Sequence, residues 1–445
     1  MICISLGFIC IIPPQFNDDL RGNPVKFKRT LLASSLLLAG AVQAATPTNE
    51  EIWQLLQEMK GQMADVQQQN QQLQAENEAL KTKVDATEQV ALEASEAAEA
   101  VVVATEEAAI SAQVLADRTT IGGYGELHYN NLDGKDGASD KNEVDFHRFV
   151  LFFGHEFTDN LRFFSELELE HALTKDTDDG SNSGEVELEQ AYIQYDINEQ
   201  HQVTGGLFLT PVGIINETHE PPTFYGTERN PVEKNIVPAT WWEAGVMFSG
   251  EIAEGFSYDV AATSGLNTSA GDSYKPRSGR QKASKAEAED FAYTGRIKWT
   301  GIPGLELAAT VQYQDDITQS NDATAGSATL LETHAVFQRG NFGLRALYAT
   351  WDLDGNGPKS IGADEQTGWY VEPSYKISKH FGVFARYNEW DNKAGNSSDS
   401  EYEQIDLGVN WWPHQDVVVK VDYQDQDAPA GKEQDGYNVG LGYQF

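Results

Sequence analysis

The chain ends Asp435-Gly436-Tyr437-Asn438-Val439-Gly440-Leu441-Gly442-Tyr443-Gln444-Phe445. Tyr437, Val439, Leu441, Tyr443 and Phe445 alternate with Asn438, Gly440, Gly442 and Gln444, the period of an extended strand with one apolar face. A terminal strand leaves an edge unpaired unless it closes on another strand, and a row of aromatics suits lipid as readily as a protein core. Alone, the segment fits the last strand of a soluble sheet equally well, so the residues before it carry the decision.

Working back to Arg118, the same period recurs between Gly, Asn, Asp and Pro punctuation. It predicts strands near 119-131, 143-157, 160-173, 185-197, 200-210, 240-250, 254-264, 288-300, 304-315, 328-339, 341-352, 366-378, 380-391, 401-412, 415-425 and 435-445, sixteen in all. Most are about 10 to 13 residues, enough for a tilted strand to cross a bilayer and longer than the usual strand of a soluble sheet. Their connections alternate strictly. Short ones fall at Thr158-Asp159-Asn160, Asn198-Glu199, Ala253, Gly301-Ile302-Pro303, Gly340, Lys379 and His414, and long ones near 132-142, 174-184, 211-239, 265-287, 316-327, 353-365, 392-400 and 426-434. Seven short turns and eight long loops are what an even-stranded barrel with both termini on one side needs. The fold class expected for 119-445 is therefore all-β, a 16-stranded antiparallel transmembrane barrel. Trp241, Trp242, Trp299, Trp351, Trp369, Trp390, Trp411 and Trp412 lie near strand ends, where interfacial girdles are expected.

Composition agrees with this architecture. Mean hydropathy is -0.46 and no run of 18 apolar residues occurs, so no helix is expected to span a membrane, whereas a barrel hides from that test because half of each strand faces water. A net charge of -38 excludes nucleic acid as a partner. Cys3 and Cys10 are the only cysteines, so neither disulfides nor thiolate metal sites shape the remainder.

Ahead of the barrel, Lys26, Lys28 and Arg29 precede an apolar run, Leu31 to Val42, and a small-residue cleavage site after Ala44. Residues 25-44 thus read as a signal peptide, and residues 1-24 as an upstream extension from a start called too early, Val25 serving as initiator through a GTG codon. From Thr46 the pattern turns helical: Leu56, Met63, Asn70, Asn77 and Val84 recur every seven residues, with Met59, Val66, Leu73 and Leu80 three residues on. A strict seven is the coiled-coil period, and seam residues Asn70 and Asn77 suit the fixing of register and oligomer number. Residues 45-118 are expected to form a periplasmic oligomerising stalk; a continuous helix from Ile52 to Leu115 would extend about 95 Å.

One loop is richer than the rest. Between Thr210 and Thr240 stands Gly213-Ile214-Ile215-Asn216-Glu217-Thr218-His219-Glu220-Pro221-Pro222-Thr223-Phe224-Tyr225-Gly226-Thr227-Glu228-Arg229-Asn230, with adjacent prolines, aromatics and both signs of charge. Such a composition suits a loop with a fixed conformation. Folded into the lumen, it would narrow the channel with Glu217, His219, Glu220, Glu228 and Arg229 as lining residues; the alternative is an outer lid or a trimer contact.

The stretch from Leu209 through Asn230, above all Asn216-Glu217-Thr218-His219-Glu220-Pro221-Pro222 with Tyr225-Gly226 and Glu228-Arg229-Asn230, resembles the phosphate-selective porin O and P family of Gram-negative outer membranes, as do the sixteen strands and terminal Phe445. The resemblance covers about 119-445. It implies a homotrimeric water-filled pore embedded in outer-membrane lipid, passing small hydrophilic solutes, with phosphate or other anions among them. It also implies that Phe445 is the signal read by the barrel assembly machinery.

Charge departs from an anion-selective pattern. Residues 45-118 hold fourteen Asp and Glu against four Lys and Arg, and residues 1-44 hold two against four, so the barrel carries -30 of the -38. Strand parity places Arg148, Arg162, Arg296, Lys298, Arg345 and Arg386 inside, but also Glu126, Glu166, Glu168 and Glu170. Unpaired, those glutamates would draw cations. Paired with the arginines, they would leave a transverse field that orients solutes without strong selectivity.

Asp176-Thr177-Asp178-Asp179-Gly180-Ser181-Asn182 and Asp352-Leu353-Asp354-Gly355-Asn356-Gly357 resemble pieces of calcium loops but lack the closing glutamate, and read as solvated hairpin tips. No metal site, cofactor or enzymatic motif is read from the chain. Two functions remain: a porin, or a structural tether whose stalk reaches toward peptidoglycan while the barrel anchors it.

Overall fold

The computed structural model describes residues 48–174, 184–429 and 431–445. The upstream extension, the signal segment, both cysteines and the Asp176-to-Asn182 run lie outside them. The chain divides into two units between Ala104 and Thr105.

Helix α1 (Asn49–Asp117) begins with a reciprocal cap. The Thr48 backbone N–H donates to Glu51 Oε2 at 2.9 Å, and the Glu51 N–H donates to Thr48 Oγ1 at 3.4 Å, so two donors that the first turn leaves orphaned are satisfied. The heptad residues Leu56, Met59, Met63, Val66, Leu73 and Leu80 are all exposed in the single chain.

The other unit is a closed barrel in which every strand pairs antiparallel with its neighbours in sequence. Its strands are β1 (Thr119–Gly134), β2 (Lys141–Thr158), β3 (Leu161–Glu170), β4 (Val186–Asp196), β5 (His201–Leu209), β6 (Trp242–Ala253), β7 (Phe256–Thr263) and β8 (Ala292–Ile302). The second half holds β9 (Leu305–Gln314), β10 (Ala328–Arg339), β11 (Phe342–Leu353), β12 (Glu365–Lys376), β13 (Phe381–Asp391), β14 (Tyr402–His414), β15 (Val417–Asp427) and β16 (Gln434–Gln444). All sixteen expected strands are present, with ends moved by a few residues. The closing seam runs β16 against β1 with Tyr443 opposite Gly125 and Val439 opposite Tyr129. Phe445 continues it, exchanging backbone hydrogen bonds of 2.9 and 3.0 Å with Gly123.

Alternation along the strands is inside-out relative to a soluble protein. On β8 Arg296 is 5% exposed and its neighbour Ile297 55%; on β14 Asp406 is 2% and Leu407 52%. An outer face of Ile, Leu and Val around a polar interior is the arrangement a bilayer stabilises.

The tryptophans correct the expected girdles. Trp241, Trp242, Trp351, Trp390 and Trp412 are buried, whereas Trp411 is exposed. Trp241, Trp351 and Trp390 join an apolar cluster inside the barrel, packed with Val232, Ile236, Leu330, Leu347 and Tyr370. Loop residues folded inward give these rings a dry partner, so an amphipathic side chain near a strand end has a second place to go. Tyrosines such as Tyr129, Tyr195, Tyr293, Tyr313, Tyr375 and Tyr437 supply exposed aromatic rings instead.

Candidate functional site

The third long loop enters the lumen. Its neck is pinned by Asn216, whose Nδ2 donates to the carbonyls of Thr210 (2.7 Å) and Trp241 (3.0 Å) while its Oδ1 accepts from the Trp241 N–H (2.7 Å). Farther on, Asn230 caps the short helix α2 (Pro231–Asn235), accepting from the Glu233 N–H at 2.8 Å, with Pro231 supplying a preset first turn. Glu233, fully buried, ties that helix back to the loop's start: Oε2 accepts from the Ile214 N–H (2.8 Å) and the Ile215 N–H (2.6 Å). Its Oε1 accepts from Tyr370 Oη (2.7 Å) and Asn230 Nδ2 (3.2 Å).

From this frame the loop reaches nine strands by polar contact. Among these, the Thr227 N–H donates to Asp422 Oδ2 on β15 (2.7 Å), Asn410 Nδ2 on β14 donates to the Phe224 carbonyl (3.2 Å), and Trp351 Nε1 on β11 donates to the Ile236 carbonyl (2.9 Å).

The five expected lining residues separate. Glu217 pairs with Arg296 on β8, Nη2 to Oε1 at 3.1 Å. His219 is buried against β3 and β4, its Nε2 3.5 Å from Glu166 and 3.6 Å from Glu189. Burial would lower the imidazole's affinity for a proton, but the two carboxylates outweigh it and hold His219 well above its ordinary range. Glu228 Oε1 lies 3.2 Å from His128 Nδ1 and accepts from Asn130 Nδ2 at 3.1 Å. Burial there works against ionisation, yet the His128 contact holds the Glu228 carboxyl well below the carboxylate range. Glu220 is half-buried and contributes its carbonyl to Thr223. Arg229 faces a cavity with residues that the sequence reading did not single out.

That cavity, about 310 Å³, lies between strands β1 to β4 and the two infolded loops. Glu126, Glu168, Glu170 and Glu187 line it from the wall; Arg229, Lys234, Arg277 and Arg280 line it from the loops. Arg277 and Arg280 belong to the fourth long loop. Arg277 Nη1 donates to the carbonyls of Ala239 (2.7 Å) and Lys234 (3.2 Å), and Arg280 donates to the Thr240 carbonyl. Backbone carbonyls hold these guanidinium groups without cancelling their charge. Lys234 is ringed by protein yet open to the lumen; burial and the nearby Arg277, opposed by Glu228, bring its ammonium below the usual lysine range. A second cavity of about 730 Å³ lies at the short-turn end, lined by Asp159, Arg162, Asp196, Arg296 and Lys298.

The wall arginines are largely paired. Arg148 bonds Glu126 and lies 3.9 Å from Glu168; Arg162 bonds Asp196; Arg296 also lies 2.7 Å from Asp259; Lys298 lies 3.8 Å from Glu306. Arg386 contacts Glu372 at 3.1 Å and Asp406 at 3.0 Å. Arg345 instead donates to the Thr223 carbonyl at 2.9 Å, leaving Nη1 buried without a hydrogen-bond partner. Among the described residues, positive charge without a carboxylate partner lies at Arg345 and Lys420 on the wall and at Arg277 and Arg280 in the fourth long loop, whereas Lys282 bonds Glu185 and Glu187. Lys275, Arg277, Arg280 and Lys282 fall within eight residues of an otherwise acidic chain. That run is the signal by which the sequence could have disclosed them.

A closed barrel with an apolar outer face, a charged interior and loops folded into it defines an outer-membrane porin channel. Residues 120–445 match the family described as phosphate-selective porin O and P, and the chain belongs to that family. It is 31% identical over 364 residues to an uncharacterised protein of Aquifex aeolicus (strain VF5), covering 73% of this chain and 80% of that one. Among solved structures, the anion-selective porin from Comamonas acidovorans aligns with a TM-score of 0.52 at 14% identity, covering 74% of this chain and 99% of that chain. OmpF of Salmonella typhi, in complex with daunomycin, aligns with a TM-score of 0.52 at 15% identity over 74% and 97%. At these identities the two structures support the fold alone.

Proposed function

We propose that the chain is a diffusion channel for small hydrophilic anions, narrowed by the third long loop and biased at Lys234, Arg277 and Arg280. The observation that carries this reading is the bonding of both arginines to backbone carbonyls, which leaves their charge facing the cavity. An anion crossing there exchanges water for guanidinium and ammonium donors, while the glutamates opposite orient it. Phosphate suits such a set and is one solute among several. Recording from the full chain in planar bilayers across a KCl gradient tests it: the reversal potential should take the sign of chloride permeation, and potassium preference at 0.1 M salt would refute it.

The exposed heptad seam supports an oligomer joined by a periplasmic coiled coil, proposed here as a trimer, since apolar seam residues gain stability only against another helix. Deleting residues 46-115 should lower the heat stability of the oligomer without abolishing single-barrel conductance. Unchanged oligomer number and melting would leave the segment to the tether reading, in which it reaches toward peptidoglycan. Deleting Phe445, proposed as the assembly signal, should reduce the amount of protein in outer-membrane fractions at least severalfold while the inserted remainder conducts normally; equal insertion would remove that role.

A further inference from the structure

We propose that His219, Glu166 and Glu189 bind one divalent transition cation of the zinc type, which fastens the third long loop to the barrel wall. Three side chains from three elements meet here, each 3% exposed or less. His219 comes from the loop, Glu166 from β3 and Glu189 from β4.

Glu189 is delivered by a backbone irregularity. Glu166 stands opposite Gln190, but the next residue, Leu167, stands opposite Leu188, so β4 carries an extra residue at Glu189. A bulge of this kind turns a side chain that simple alternation would send to the lipid face into the lumen. The strand thereby presents Gln190 and Glu189 on the same side, where Gln190 Nε2 donates to Glu166 Oε2 at 2.6 Å and orients that carboxylate.

Histidine geometry supplies the second observation. His219 Nδ1 lies 3.1 Å from the Asn216 carbonyl, which can only accept, so Nδ1 carries a proton and Nε2 is the nitrogen aimed at the two carboxylates, where an incoming cation would displace the Nε2 proton. A ring nitrogen fixed by a backbone carbonyl is the usual support of a metal-bound histidine. The separations from Nε2, 3.5 Å to Glu166 Oε1 and 3.6 Å to Glu189 Oε2, are long for a hydrogen bond. They are close to the ~3.4 Å between two ligands of a tetrahedral zinc ion. Glu189 Oε2 is buried with no hydrogen-bond partner, as is Glu168 Oε2 beside it.

Glu126, Glu166, Glu168 and Glu189 are buried together; Arg148 and His128 engage Glu126, while Glu166 and Glu189 face His219. Oxygen and imidazole donors in this mixture suit zinc better than calcium or magnesium. A second group among the described residues, Asp145, His147 and His171, has N···O distances of 2.9 to 3.1 Å; ordinary hydrogen bonds explain it, and it serves as the control.

The test uses the full chain in detergent, stripped with a chelator and titrated with Zn²⁺ by calorimetry, with Co²⁺ as a spectroscopic substitute. One ion per chain should bind with a four-coordinate cobalt spectrum. Glu189→Gln, which keeps the loop's own hydrogen bonds, and His219→Ala should each weaken binding at least tenfold, while Asp145→Asn with His171→Ala should not. Heat-modified gel migration confirms that each variant is folded. Absence of binding, or binding that survives Glu189→Gln and is lost in the Asp145/His171 variant, overturns the site. Because the readout is metal binding, it stands or falls independently of anion permeation.

Discussion

Replacing Lys234, Arg277 and Arg280 together by Ala is expected to carry the reversal potential across zero, from chloride to potassium preference. Each cation within about 8 Å of a passing monovalent ion changes its energy by roughly 0.5–2 kcal/mol for an effective dielectric constant between 80 and 20. Removing three should therefore move the permeability ratio by tenfold or more. Opposite them Glu170 remains without an ion-pair partner among the described residues, and the barrel's excess of acidic over basic groups would then set the preference. Salt provides an internal check, because the Debye length falls from about 10 Å at 0.1 M to about 3 Å at 1 M, and the difference between wild type and variant should shrink with it. The pH dependence has a fixed sign. Lys234 sits below the ordinary lysine range, so raising the pH neutralises it before exposed lysines, and wild-type anion preference should decline toward alkaline pH. A charge-preserving variant, Arg277→Lys with Arg280→Lys, should retain the wild-type sign. An unchanged reversal potential in the Ala variant would remove these residues from the permeation path.

How far the sequence discloses this arrangement depends on the range of the interaction concerned. Strand existence is local: a period of two over ten residues fixes which side chains face lipid, and strict alternation of turns and loops then leaves little choice but closure of β16 on β1. Facing was legible wherever the ladder is regular, as at Arg296 and Arg386. It was not legible at Glu189, because an extra residue reverses parity without any mark in the residue pattern. Pairing was illegible for a different reason. Glu217 meets Arg296 across 79 residues of chain, a proximity that exists only after the loop has turned inward. The buried tryptophans share that cause: Trp351 near a strand end reads as an interfacial ring until Ile236 arrives to accept its N–H.

The same inward turn makes the loop separable from the barrel, and Glu233 is where the two should come apart. Glu233→Ala is expected to release the third long loop from its docked position while the barrel persists. Four donors converge on this carboxylate, two of them backbone N–H groups of the buried residues Ile214 and Ile215. Leaving a buried donor unsatisfied costs about 1–3 kcal/mol each, so the docked loop loses several kcal/mol. The strand ladder is untouched by that loss, since among the described residues Glu233 bonds the wall only through Tyr370 on β12. Single-channel conductance should rise at least twofold with larger open-state noise, and liposome swelling should admit larger sugars, while heat-modified migration of the barrel stays as in wild type. Tyr370→Phe, which removes one of the four donors without orphaning the backbone pair, should give a small fraction of that change. Wild-type conductance in Glu233→Ala would mean that the apolar packing of Val232, Ile236 and Trp351 holds the loop unaided.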